Sequence, residues 1–249
     1  MKSRGALVDM LELDRQRVLD FERYPFSIPA LRELDTLRFH PQVTFFVGEN
    51  GSGKSTLLEA IAIRAGFNAE GGTRNFSFAT RRSHSELCEY VRLGRSGRTI
   101  RDGFFLRAES YFNLATEIER LDAEPLGGAC VIDSYGGRSL HEQSHGESFL
   151  ALVKHRFGAD GLYVLDEPEA ALSPARQLSL LAAMHALCAQ GSQFVIATHS
   201  PLLLAYPEAT IYVLDDDGLA ATDYDDVDHV QLTRDFLRDP QRYLRHLFE

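Results

Sequence analysis

Residues 48–56 read GENGSGKST, and this spacing puts Gly48, Gly53, Lys54 and Ser55 on the pattern G-x-x-x-x-G-K-[ST]. The chemistry served by such a stretch is phosphate binding. Glycines let the backbone turn tightly and aim several N–H groups inward, so β- and γ-phosphates sit against the positive end of the following helix. Lys54 adds a point charge there, and the Ser55 hydroxyl is a ligand for Mg²⁺. The nucleotide-binding residues are therefore Gly48, Glu49, Asn50, Gly51, Ser52, Gly53, Lys54, Ser55 and Thr56. Downstream, LYVLDEPEAALSP ends an apolar run in Asp166 and Glu167. Two adjacent acids at a strand end can divide labour. Asp166 would orient the metal, while Glu167 would act as general base on the water attacking the γ-phosphate. Glu169 reads better as a helix N-terminal charge than as a second catalytic acid. His199 follows the run FVIAT. A lone histidine is more often structural, but its place after a β-run and before Ser200-Pro201 suits a donor that senses the γ-phosphate.

The elements that must hold these groups are legible around them. VTFFV at 43–47 is a β-rich run entering the glycine turn, and Leu57, Leu58, Ile61, Ala62 and Ala65 recur at helical spacing until Gly66. Ser173-Pro174 opens a second helix running to about Gln190, ahead of Gly191 and the third apolar run. Strands alternating with helices predict an α/β fold with a mostly parallel central sheet covered on both faces. Arg23–His40, with prolines at 25 and 29, reads as edge strands and turns. A hairpin is expected over 211–222, with two short helices near 229–238 and 240–248. In HEQSHGESFL, Ser144 can cap a helix with Glu147 completing a capping box. The same glycine-containing helix start could instead receive the γ-phosphate of a nucleotide bound elsewhere.

At 249 residues, with 44% hydrophobic and 25% charged residues and a net charge of −10, the chain reads as one ordinary globular domain, neither disordered nor uniformly basic. Its apolar runs fall far short of the ~20 residues of a membrane-spanning helix, and no signal-peptide stretch opens it. No direct membrane insertion is expected. Cys88, Cys130 and Cys188 lack metal or disulfide spacing, which favours a cytoplasmic location. Charge is uneven. Residues 71–107 carry eight arginines against three acids, and residues 206–229 carry eight acids and no Lys or Arg. Two solvated faces are the plain reading; an arginine-rich lobe for phosphate or an acidic partner is the sharper one.

Taken in order, GENGSGKST, SHGES, LYVLDEPEAALS and FVIATHSP resemble the ABC-type ATPases, and among them the SMC/RecF-like proteins often labelled AAA family, over residues ~43–201. The resemblance implies a P-loop NTPase of ABC-ATPase type: N-terminal antiparallel strands beside the central sheet, and a small helical signature lobe at roughly 105–158 within a single domain, 1–249. It implies ATP and Mg²⁺ as cofactors. Lys54 and Ser55 then hold phosphate and metal, Asp166 supports the metal, Glu167 is the catalytic base and His199 the switch; Lys54 counts with these last two as catalytic. Ser144, His145, Gly146 and Glu147 correspond to a signature acting in trans, which implies an ATP-dependent head-to-tail homodimer and a separate effector protein.

Several positions depart from the family pattern. The signature is SHGES where transporters carry LSGGQ, and Ala170-Ala171-Leu172-Ser173 lacks the usual final aspartate. No glutamine lies between Ser55 and Glu142, so the Q-loop role would pass to another residue, for which Glu109 is the candidate, an exposed helix acid being its plain reading. About 90 residues separate those motifs without heptads, so no coiled-coil arm is inserted. Tyr24 or Phe26 could stack on adenine, and either could equally be core. The leading expectation is an ATPase switch acting on a partner protein or on DNA. A transporter's nucleotide-binding subunit, a P-loop kinase and a non-hydrolysing adaptor are the alternatives.

Overall fold

In the computed structural model, residues 5–69, 71–73, 85–107, 132, 137 and 144–248 are described. Six strands form the central sheet, in the order β5 (Asp102–Arg107), β6 (Gly161–Asp166), β7 (Gln193–Ala197), β3 (Val43–Val47), β8 (Thr210–Asp215) and β9 (Gly218–Thr222). All neighbours are parallel except the β8–β9 hairpin. The expected mostly parallel sheet is thus present, and β3, β6 and β7 are buried along their whole length. That is why their sequences run apolar without alternation.

Each strand nevertheless divides its side chains between two layers. Phe45, Phe104, Tyr163 and Phe194 pack into one core cluster, with α5 (Pro174–Ala189) and α4 (His145–Arg156). Their neighbours Phe46, Phe105, Val164 and Val195 pack into the other, with α2 (Lys54–Ala65) and the short α3 (Leu87–Tyr90). This second layer is closed by an antiparallel sheet in the order β2 (Thr36–Arg38), β1 (Met10–Leu13) and β4 (Val91–Gly94). One buried side chain joins the two sheets. Gln193 Oε1 accepts from the Leu7 and Val8 N–H groups at 3.0 and 2.9 Å. Its Nε2 donates to the Val8 and His40 carbonyls at 2.8 and 2.9 Å, so the amide is fully satisfied.

The helix after the glycine turn ends where expected, at Gly66, whose φ of +97° suits a residue without Cβ. The second expected helix is α5, and the C-terminal pair are α7 (Asp228–Arg238) and α8 (Pro240–Phe248). The 23–40 stretch differs from the expectation of strands and turns alone. Besides β2 it forms α1 (Pro29–Arg32), because Pro29 falls at the first helical position, where its missing N–H is harmless. Residues 105–107, placed with the signature lobe from sequence, belong to β5. Most of 108–143, including Glu109 and Cys130, lies outside the described residues. Helix α4 is anchored at its far end, where Arg156 meets Asp102 at 2.8 Å and the Tyr163 hydroxyl donates to the same carboxylate at 2.9 Å.

Candidate functional site

The site forms where β3, β6 and β7 end side by side, at the C-terminal edge where open α/β sheets bind ligands. Strand β3 feeds the glycine turn. Gly48 has φ +156° with no room for a side chain, since a Cβ would stand 2.3 Å from the Leu214 carbonyl oxygen and 2.7 Å from Ser52 Oγ. Gly53 has φ +98° and leads directly into α2. The loop is therefore a backbone cradle that only glycine permits at these points. Lys54 folds back over it, its Nζ donating to the Gly48 and Glu49 carbonyls at 2.7 and 3.1 Å. Burial pulls the ammonium pKa below its usual value, opposed by the charges of Glu167, Asp166, Glu49 and Glu169.

Asp166 is the last residue of β6 and accepts a hydrogen bond from Ser55 Oγ at 3.1 Å. These two residues, predicted as the metal pair, are thus in contact. Burial raises the Asp166 carboxyl to about 6, partly offset by the Ser55 hydrogen bond and the charges of Arg107 and Lys54. A buried carboxylate raised in this way, beside a hydroxyl, suits a divalent cation that would supply the missing positive charge. Arg107, paired in register with Asp166 on β5, holds Glu59 of α2 at 2.8 Å.

Glu167 follows in the left-handed region at φ +50°, a conformation a non-glycine residue adopts at some energetic cost. Its N–H continues the ladder to the Ala197 carbonyl at 2.9 Å, and its carboxylate lies 3.6 Å from His199 Nε2. His199 stands just past β7, where the Thr198 N–H still bonds the Phe46 carbonyl. The Glu169 carboxylate accepts the His199 backbone N–H, and Ser200 caps α6 (Pro201–Leu204) through the Leu203 N–H. Glu169 is therefore a positioning group for the histidine. Its letters suggest only a helix-terminal role, because the contact depends on two strands lying adjacent.

Among the described residues, five have buried side-chain polar atoms without a hydrogen-bond partner, and four of them belong here: Ser52, Glu169, His199 and His229. Buried polar groups are ordinarily paired, so such a concentration fits a site built around a polar ligand. Beside the loop lies a cavity of about 560 Å³, walled by residues 48–52, the β8–β9 hairpin and the start of α7. The Tyr24 hydroxyl stands 3.2 Å from Thr56 Oγ1 with the ring 59% exposed. Phe26 is 3% exposed and packs edge-on against Phe21 and Tyr90. Of the two aromatic candidates, Phe26 is core and Tyr24 is at the site.

The signature tip is elsewhere. Ser144 is the N-cap of α4, which His145 opens, and the capping box is present: the Ser144 N–H and hydroxyl reach Glu147 at 3.1 and 2.7 Å. Arg176 of α5 contacts Ser144 Oγ and Glu147, both at 3.3 Å. Gly146 is buried beneath, where a Cβ would stand 2.5 Å from Arg176 Nη1 and 2.8 Å from the Ala171 carbonyl oxygen. Of the eight clustered arginines, Arg92, Arg98 and Arg107 are paired with Asp14, Asp160 and Glu59. Arg74, Arg81 and Arg82 lie outside the described residues.

A strand-borne phosphate loop, a neighbouring carboxylate pair and a histidine just past the strand between them define a P-loop nucleoside triphosphatase. Residues 26–116 match the family described as "AAA domain", and residues 117–205 match that described as "AAA domain, putative AbiEii toxin, Type IV TA system". The chain is 31% identical over 170 residues to the cytochrome c biogenesis ATP-binding export protein CcmA of Mesorhizobium japonicum, covering 65% of this chain and 80% of that protein. It is 29% identical over 170 residues to the vitamin B12 import ATP-binding protein BtuD of Escherichia coli, covering 64% and 66% respectively. The ADP conformation of MJ1267, an ATP-binding cassette of an ABC transporter, superposes with a TM-score of 0.54 over 99% of this chain and all of that one, at 17% identity. A nucleotide-free ATP-binding cassette from an ABC transporter gives 0.53 over 95% and 98%, at 15% identity, so the fold is shared. The chain belongs to the ABC-type P-loop ATPases, which hydrolyse ATP with Mg²⁺ as cofactor. Among the described residues no helix is long and apolar enough to cross a membrane.

Proposed function

We propose that the chain is an ATP-driven switch in which two copies associate head to tail, each lending its Ser144–Glu147 tip to the other's phosphate loop. In each site Lys54 and the loop N–H groups hold the phosphates. Ser55 and Asp166 hold the metal, Glu167 takes the proton of the attacking water, and His199 faces the terminal phosphate. The observation that carries the reading is the placement of the tip. Among the described residues Ser144 Oγ contacts Glu147 and Arg176 of its own chain and none of its own phosphate loop, so a role at phosphate calls for a second copy. Hydrolysis would release the pair and signal to a separate effector, a protein or DNA. The paired state of Arg92, Arg98 and Arg107 weighs towards a protein.

Glu167→Gln should abolish turnover and trap a dimer with ATP, read by light scattering; a Glu167→Gln protein that remains monomeric with ATP refutes the proposal. A second reading, the ATP-binding subunit of a transporter, draws on the export and import roles named for the two relatives. It predicts co-purification with a membrane-embedded partner. Acceptor-independent phosphate release would exclude the kinase alternative, and any sustained release would exclude the adaptor.

A further inference from the structure

His229 belongs to none of the motifs, yet the fold brings it to the phosphate site. The chain leaves the β8–β9 hairpin, makes a turn over Tyr224–Asp226 and enters α7, of which His229 is the second residue. Three contacts fix that first turn. Val227 and Val230 are buried in the sheet core on either side of the histidine, and the Tyr224 hydroxyl donates to the Pro201 carbonyl at 3.2 Å, beside the switch histidine. The His229 ring consequently stands with its centroid 6.0 Å from that of His199 and shares the cavity with Gly48–Ser52. Nε2 of both imidazoles is buried and without a hydrogen-bond partner.

We propose that His229 Nε2–H is a second donor to the terminal phosphate of a triphosphate on the loop, working alongside His199, so that the C-terminal helices register whether that phosphate is present. The inference rests on reading the loop as a nucleotide site and adds to it a residue from outside the motif set. Burial and the nearby His199 hold the His229 pKa below its usual value, with Glu49 and Asp228 opposing and Lys54 adding to the fall. The ring is then neutral at pH 7, with a single N–H to give. Such a donor discriminates by geometry: a diphosphate leaves it unpaired, whereas a triphosphate satisfies it. Through α7 the contact reaches Leu232 and Leu237, which are exposed on the same helix.

The test is fluorescence titration of the full chain with a non-hydrolysable ATP analogue and with ADP, both with Mg²⁺, for wild type, His229→Ala and His229→Gln. A lost charge-assisted hydrogen bond predicts about tenfold weaker triphosphate binding in His229→Ala, ADP binding within about twofold of wild type, and substantial rescue by glutamine. The ¹⁵N shift of His229 Nε2 in the wild-type chain should move with the analogue and not with ADP, which decides the matter even where the alanine variant does not fold. An unmoved ¹⁵N shift, or equal weakening of both nucleotides in His229→Ala, overturns the proposal. Failure of the underlying nucleotide-site reading would look different: wild type would bind neither nucleotide, or Lys54→Ala would bind both as well as wild type does.

Discussion

Replacing Asp166 by asparagine should make the nucleotide-free protein more stable while removing its response to Mg²⁺. Burial pushes the carboxyl up to about 6 in the folded chain against 3.8 for an ordinary aspartate, because it disfavours the charge more than Ser55, Arg107 and Lys54 favour it. Between those two values the folded chain binds more proton than the unfolded one. Stability from this residue therefore falls as pH rises through the window and stays low above it. The difference corresponds to about 3 kcal/mol at about pH 8, carried by the wild type and absent from a neutral isostere that can still accept the Ser55 hydrogen bond. For a chain of this length that is a rise in Tm of roughly 6–12 °C. At about pH 5 the wild-type carboxyl is mostly protonated, and the gain should shrink to about half. Thermal melts of both proteins at the two pH values, with and without Mg²⁺ and ATP, give the measurement. Added Mg²⁺ and ATP should raise the Tm of wild type far more than that of Asp166→Asn. An asparagine substitution that melts at or below wild type near pH 8 without ligand would show that Asp166 is not held at an electrostatic disadvantage, and the metal-site argument would lose its basis.

Arg107→Met should destabilise the fold by about 2–3 kcal/mol in a urea melt, since Glu59 keeps its hydrogen bond from the Ser85 N–H but loses its cation; Arg107's partial exposure holds this below a fully buried pair. Without that charge the Asp166 carboxyl should rise further, moving the acid limb of Mg²⁺-dependent ATPase activity to higher pH; an unshifted profile contradicts the coupling. Gln193→Leu leaves two buried N–H groups and two carbonyls without that partner, and should lower stability by about 3 kcal/mol or more, seen as a Tm fall of roughly 6–12 °C. An unchanged melt would mean that the two sheets are joined chiefly by other contacts.

The parts of the site legible in the sequence are those whose signals are local. The glycine turn, the acids ending LYVL, the helix from Pro174 and the capping box at Ser144 each depend on residues within a few positions of one another, and each lies where its spacing places it. The parts that were not legible depend on distant segments meeting. Glu169 reads as a helix-end charge until β7 brings the His199 N–H to its carboxylate. His229 carries no signal at all before α7 folds over the loop. Phe26 and Tyr24 are equivalent as letters, and only burial separates the core ring from the one beside Thr56. Gln193 interrupts no pattern, yet its amide links sheets formed by segments more than 150 residues apart.

The burial of Gly146 against Arg176 and Ala171 has a mechanical corollary. The serine-bearing end of α4 and the turn that follows Glu167 are wedged together, with Arg176 clasping the former. A neighbouring molecule that tugs on the one must jostle the other. In the proposed pair, each molecule would thus feel the other's fuel state through solid contact.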